Sequence, residues 1–372
     1  MGKILSKLLS WRFWLGIITV FNLCALLLTY SSPFLHPETI KIIPLFGLAY
    51  PFIFTGSILL LIFWIFTRSK WVWSILIIIL LGGTLHFRTF SFGTETETEN
   101  RTTLKVMSYN VQLFGLYTTL QSNNIETKNA IFKYLRKEKP EVVCFQEFYK
   151  KKKRNFITKD SIIDILGTEF YHEKYAKQFG SRQSFGIALF SKHPIINKGE
   201  IDFEKEDQSF NYCIYADIIK NKDTFRIYNI HLQSIRFGED DYALFNEENL
   251  TNTENKDKFI GLLRKVRQSY PIRAQQARKI VNHINTSPYP IIICGDFNDT
   301  PMSYVYNQFN TVLNDAFRET SFGIGRTYAG KIPIGRIDYI FHSRELIPSH
   351  FSIQEHAFSD HFAISCDLSV KK

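Results

Sequence analysis

The chain has 372 residues, 45% of them hydrophobic and 22% charged, with a formal net charge of +10. Residues 1–90 hold seven Lys/Arg and one Glu, so six of the ten excess charges lie there and the remainder is only mildly basic. Global charge therefore does not argue for a nucleic-acid partner. The cysteines Cys24, Cys144, Cys213, Cys294 and Cys366 show no CxxC or CxxH spacing, which speaks against a zinc site or a disulfide framework.

Three almost wholly apolar runs come first: Trp11 to Tyr30, Ile42 to Thr67 and Trp71 to His86. Crossing a bilayer takes roughly 20 residues, so the first two are long enough and the third leans on its flanking aromatics. Lys3, Lys7 and Arg12 precede the first run, and Arg68 and Lys70 separate the second from the third. Under the positive-inside rule these groups stay cytoplasmic, and three spans place everything after Phe90 outside. No small-x-small cleavage site follows the first run, which argues against a removed signal peptide. Phe21-Asn22-Leu23 before Cys24 is a poor lipid-attachment context. Residues 1–90 are expected to be a transmembrane region of about three helices, 91–103 a linker and 104–372 a catalytic domain. The acidic stretch Thr94 to Asn100 has nothing to bury and reads as solvated. From Arg88 to Thr103 the chain reaches about 50 Å at most, so the domain stays near the membrane.

Strands and helices then alternate. Leu104 to Val111 reads as a strand, Ile125 to Lys137 as a helix ending before Pro140, and Glu141 to Phe148 and Phe185 to Phe190 as strands. Tyr212 to Ile219 and Thr224 to Leu232 read as a hairpin across Asn221-Lys222-Asp223. A long helical stretch from Lys256 to Ile284, broken near Pro271, leads to a strand from Tyr289 to Cys294. Arg336 to His342 and His361 to Val370 close the set. Interleaved helices and hairpins imply mixed sheets in an α/β domain.

Polar residues recur where these strands end. The run Ile293-Cys294-Gly295-Asp296-Phe297-Asn298 delivers a carboxylate and an amide at a strand end, and Ser359-Asp360-His361 sets a carboxylate beside an imidazole. Asn110, Glu147, His231 and Asp338 stand at comparable places. Hard oxygen ligands together with a proton-transfer group point to metal-assisted hydrolysis of a phosphate ester.

From about Lys105 to Val370, Gly295-Asp296-Phe297-Asn298 and Ser359-Asp360-His361 together resemble the endonuclease/exonuclease/phosphatase superfamily. That metal-dependent group includes DNase I-like nucleases, abasic-site endonucleases, neutral sphingomyelinases and inositol polyphosphate phosphatases. The resemblance implies a four-layer α/β sandwich, two mixed β-sheets face to face with helices outside, here behind an N-terminal transmembrane helical region. It makes Glu147 the principal ligand of Mg²⁺, with Mn²⁺ as the alternative, and puts Asn110 and Asp360 beside it. Asp296 positions or deprotonates the attacking water, and Asn298 donates to a phosphoryl oxygen. His361 is the acid/base imidazole with its tautomer fixed by Asp338, and His231 contacts the phosphate from the opposite side. Gln112 and His231 stand where abasic-site endonucleases carry an acid and a Tyr, so the resemblance is nearer to the other branches.

Arg336, Lys150 and Lys151 are expected on the substrate side. Lys150 to Arg154 reads either as a collar for a polyanion or as a solvated surface run. Arg236 to Arg273 is a long connection ending in Arg264, Lys265, Arg267 and Arg273. Phe259, Leu262, Leu263 and Val266 recur there at helical spacing, as in a basic amphipathic helix that caps the site, lies on the membrane or packs on the domain. The leading expectation is a membrane-tethered, extracytoplasmic nuclease-like phosphodiesterase. The second is hydrolysis of a phospholipid, sphingomyelin or phosphoinositide headgroup, and the third a non-catalytic binding protein on the same fold.

Overall fold

The computed structural model describes residues 11–95, 102–116, 124–151, 157–175, 183–203, 211–235, 254–330 and 335–371. In chain order its strands begin with β1 (Ser91–Phe92), β2 (Thr103–Asn110), β3 (Val142–Lys151), β4 (Phe170–Tyr175) and β5 (Gln183–Ser191). β6 (Ile195–Ile201), β7 (Tyr212–Lys220), β8 (Asp223–His231), β9 (Ile291–Asp296) and β10 (Asn314–Asp315) follow. The last are β11 (Phe322–Gly323), β12 (Asp338–His342), β13 (Leu346–Ile353) and β14 (Ile364–Val370). One six-stranded sheet runs β13-β14-β2-β3-β5-β4 and the other β10-β12-β9-β8-β7-β6. Both are mixed: β2 and β3 are parallel, as are β8 and β9, and the other neighbours are antiparallel.

Side-chain alternation sorts each strand between two layers. Leu104 and Val106, Val142 and Cys144, Phe225 and Ile227, and Ile292 and Cys294 share the core between the sheets. Their odd partners, Met107, Tyr109, Val143 and Phe145, pack outward with Ile131 and Leu135 of helix Asn124–Glu138. On the other side Tyr228, Ile230 and Ile293 pack with Ala277 and Ile280 of helix Glu254–Ile284. Helix, sheet, sheet, helix is the expected four-layer sandwich.

Pro271 lies inside helix Glu254–Ile284 without breaking it, contrary to expectation. Proline removes the bond to the carbonyl four residues back; that residue, Arg267, is exposed, so water can serve its carbonyl. The hairpin forms as expected, with Lys220 opposite Asp223 and Asn221 left-handed. Strands β4, β6 and β13 escaped the sequence reading. β4 and β6 contain no buried residue, and β13 carries Pro348 and a register shift.

The N-terminal region forms an up-down-up bundle. Two of its helical runs, Trp11–Ser31 and Trp71–Thr89, are long and apolar enough to cross a membrane. The second expected span divides at Ala49 into Ile43–Leu48 and Tyr50–Phe66, leaving a shorter apolar helix of 17 residues. Trp64 Nε1 donates to Thr19 (2.9 Å) and Ser57 to Asn22 (2.6 Å), so the polar side chains face the helix seams. Phe21, Phe66 and Leu80 point outward.

The end of the bundle holding Ser31, Tyr50 and Thr89 meets the sandwich. Arg88 donates to Asn307 (2.8 Å), Arg336 to the Arg88 carbonyl (2.7 Å) and Arg318 to the Phe87 carbonyl (3.0 Å). Met302 packs with Leu26, Tyr30, Tyr50 and Leu85. Part of the expected linker is ordered: β1 pairs with β11, while residues 96–101 lie outside the described ones. The amphipathic helix packs on the protein, where Leu262, Val266 and Tyr270 meet Leu45 and Ile235.

Candidate active site

The alternation that fills the inter-sheet core also places polar side chains at one end of it. Continuing the inner faces of β2, β8 and β9 leads to Asn110, His231 and Asp296, and the inner face of β12 (Ile340) leads back to Asp338. His231 and Asp296 are register partners on the parallel pair β8–β9, and Asp338 faces Asp296 across β12–β9. Gly295 lets the strands approach; a Cβ there would lie 2.1 Å from the Ile230 carbonyl.

Glu147 needs a different device. Inner positions of β3 are even-numbered, so an undisturbed strand would turn residue 147 toward the helices. A register shift between Phe145 and Phe148 breaks the alternation, and Glu147 itself has φ +50°. Such a bulge, with a non-glycine residue in the left-handed region, re-aims one side chain at the expense of local strain. Asn298 is also left-handed, φ +52°.

Asp296 Oδ2 is the hub. Asn110 Nδ2 lies 3.1 Å from it and Asn298 Nδ2 3.2 Å, while His231 Nε2 and His361 Nε2 each stand 3.7 Å away. Asp296 Oδ1 accepts the Asn298 backbone N–H at 2.8 Å. His361 turns its other nitrogen to Asp338, with Nδ1 2.9 Å from Oδ2. Asn110 Nδ2 also reaches Glu147 Oε1 at 3.5 Å, and His231 Nε2 lies 4.0 Å from that oxygen. Asp360 is next to His361 in sequence and accepts from Ser359 at 3.2 Å.

Electrostatics follow from this crowding. Burial alone would lower the proton affinity of His361, but Asp338 and then Asp296 outweigh it and hold the imidazole well above its ordinary pKa. Burial raises Asp296, with Asp338 adding to it and the two imidazoles opposing. Burial first, then Asp360, pushes the Glu147 carboxyl up to about 7, helped by Asp296 and opposed by His361.

Two groups of side chains could hold a cation. Ligand atoms of Asp296, Asp338 and His361 lie within 4.8 Å of one another, yet Asp338 is already bonded to His361 Nδ1 and Asp296 to the two amides. Glu147 fits a divalent ion better. Its side chain is 31% exposed, its donor among the described residues is the Asn110 amide at 3.5 Å, and neighbouring carboxylates oppose its ionisation. A nearby cation would reverse that opposition.

Of the residues expected on the substrate side, Arg336 and Lys150 have partners of their own. Arg336 is buried, its guanidinium given to Asp315 and the Arg88 carbonyl. The Lys150 ammonium lies 3.3 Å from Glu173. Lys151 lies in β3, and residues 152–154 are outside the described ones. Three further residue groups support the site without any mark in the sequence. Gln146 donates to Asn229 (2.7 Å), which donates to the Phe145 and Ala188 carbonyls, so a buried polar link ties the sheets together behind the site. Arg273, read in sequence only as the end of a basic stretch, is buried; it donates to the Asn298 carbonyl and pairs with Asp299 at 3.1 Å. Tyr328 sets its ring edge-on to His361, centroids 5.3 Å apart.

Residues 107–361 match the Endonuclease/Exonuclease/phosphatase family, and residues 8–90 match a domain of unknown function, DUF8431. No curated protein matches. Similar solved structures include an endonuclease/exonuclease/phosphatase family protein from Leptotrichia buccalis, 17% identical with TM-score 0.50 over 72% of this chain and 99% of that one. Another is from Bacteroides vulgatus, at 15% identity and TM-score 0.53 over 73% and 100%. The human Nocturnin catalytic domain with bound sulfate is 18% identical with TM-score 0.51 over 73% and 96%. At these identities the likeness is one of fold.

Proposed function

The chain belongs to the endonuclease/exonuclease/phosphatase family, and on that footing we propose that it is a membrane-tethered, metal-dependent phosphodiesterase. The observation that carries the chemistry is the convergence on Asp296 Oδ2 of two amides and two imidazoles. Asp296, made more basic by burial and by Asp338, takes the proton of the attacking water. Asn298, pinned by the Arg273 contact to its carbonyl, offers its amide to a phosphoryl oxygen as charge gathers there. His361, charged and held by Asp338, donates to the phosphate or its leaving oxygen, and His231 flanks it from the neighbouring strand. When bound by Glu147, Asn110 and Asp360, a divalent cation, Mg²⁺ or Mn²⁺, supplies Lewis acidity to the phosphoryl group.

The nuclease-like reading rested partly on a basic collar, and Lys150 is committed to Glu173. Contacts of the bundle favour the second reading, a lipid-headgroup phosphodiester. The bundle touches the loops that carry the site: Met302 follows Asn298 by four residues and Arg336 precedes Asp338 by two. Full-length protein in lipid nanodiscs with Mg²⁺ should be offered DNA, RNA, sphingomyelin, glycerophospholipids and phosphoinositides. Cleavage of a lipid substrate is the expected result. Cleavage of nucleic acid alone would return the site to the nuclease reading, and inertness toward the whole panel would leave a binding protein.

A further inference from the structure

Exposed apolar side chains lead from the last apolar run of the bundle onto the sandwich. On helix Trp71–Gly82, Ile77 and Leu80 are exposed outward; past a turn at Gly83 (φ +45°), Phe87 is again exposed, still inside the apolar helical run Trp71–Thr89. Phe87 meets Phe92 of β1 edge-on (5.7 Å), and Phe92 meets Phe322 of β11 in the same way (5.6 Å). These rings cover one another only at their edges: Phe92 remains 62% exposed and Phe322 78%. β1 and β11 pair with Phe92 opposite Phe322, so the last of these rings belongs to the catalytic domain. After it the chain alternates, with Phe322, Ile324 and Arg326 exposed and Thr327 and Tyr328 buried.

The same segment ends inside the site. Thr327 Oγ1 accepts from the backbone N–H groups of Ile337 and Asp338, both at 3.0 Å. Tyr328 bridges to His361 and places its ring against that imidazole. Six residues therefore lead from this exposed ring to the side chain that contacts the acid/base histidine.

We propose that Phe87, Phe92, Phe322 and Ile324 form a platform on which the headgroup–acyl boundary of the bilayer rests, seating the catalytic centre at the lipid surface. This rests on the membrane reading of the bundle and extends it to the domain. Continuity identifies the occupant, since Phe87 belongs to the same candidate membrane span as Leu80 and its ring passes directly to Phe92 and Phe322. Aromatic rings suit that depth because the interface favours flat, polarisable groups, and Arg326 ends the row with a cation suited to phosphate headgroups.

The test is spin-label accessibility on the full chain in phosphatidylcholine liposomes. Cys24 is the one exposed cysteine among five, so single labels can be introduced in a Cys24→Ser background as Phe322→Cys, Leu80→Cys and Ile196→Cys. Ile196 is a half-exposed residue on edge strand β6, at the far side of its sheet from β10. The platform predicts that labels at 322 and 80 are both relaxed by oxygen and shielded from a soluble nickel chelate, while the label at 196 is open to nickel. If 80 is lipid-exposed and 322 behaves like 196, the platform is wrong and the membrane reading stands. Shielding of 322 from both oxygen and nickel would mean a protein partner or a second copy, and overturns it too. A label at 80 open to nickel would remove the membrane reading and the platform together.

Discussion

Replacing Glu147 by Gln should make the metal-free protein more stable while abolishing its function. The carboxyl is displaced from 4.5 to about 7 in the folded chain. Well below its ordinary pKa it is neutral in both folded and unfolded chains, so stability is unaffected there. As pH rises the unfolded chain ionises first, and the fold is progressively penalised until the folded carboxyl has ionised as well. At about 1.36 kcal/mol per pH unit the full penalty is roughly 3 kcal/mol. Because the side chain is 31% exposed, solvent screening reduces this to about 2 kcal/mol. For a domain of this size that is a rise of roughly 4–8 °C in melting temperature for Glu147→Gln near pH 8. Melting in EDTA, followed by tryptophan-independent far-UV dichroism, measures it at two pH values. The gain should shrink toward nothing near pH 4.5, and saturating Mg²⁺ should raise the wild type but not the variant. Loss of stability at pH 8, or an equal gain at both pH values, would refute the reasoning.

Asp296→Asn should reduce turnover by about three orders of magnitude, since a general base is worth roughly 10²–10⁴, with the melting curve retained; undiminished rate would remove Asp296 from the chemistry. Asp338→Asn should lower the His361 pKa, because it deletes the carboxylate that holds the proton there. The alkaline limb of the kcat/KM profile should then move to lower pH, and an unmoved limb would deny the pairing a role. Gln146→Leu leaves the buried Asn229 carbonyl without its donor and should cost about 1–3 kcal/mol in chemical unfolding. The Gln146→Leu/Asn229→Leu double variant should cost less than the sum of the single changes, and strict additivity would argue against the link.

Most of the sandwich was legible because alternation is written into the strands themselves. Leu104, Val106 and Asn110 lie on one face, as do Ile292, Cys294 and Asp296, so period two alone carries the inner face to the site. Glu147 was singled out by its place at a strand end, yet its route into the site depends on a left-handed residue at a bulge, which no spacing announces. In sequence Arg273 reads as the end of a basic stretch and Arg336 as a substrate-side cation. Only the partners they meet in the fold, Asp299 and Asp315, allow them to be buried. The division of the second apolar run near Ala49 was equally hidden, since hydropathy does not report where a helix ends. The docking of Arg88 on Asn307 joins residues 219 positions apart, beyond the reach of any local pattern.

The central claim, that these scattered strand ends make one cation-dependent hydrolytic centre, is tested most directly by a Mg²⁺ titration. EDTA-stripped full-length protein in nanodiscs would receive Mg²⁺ while the initial rate of phosphodiester hydrolysis is followed, for wild type and Glu147→Gln. A cation-dependent centre gives no rate without Mg²⁺, a saturable rise in the wild type, and no rise over the same range in the variant. Hydrolysis without added metal, or the same midpoint in both proteins, would contradict it.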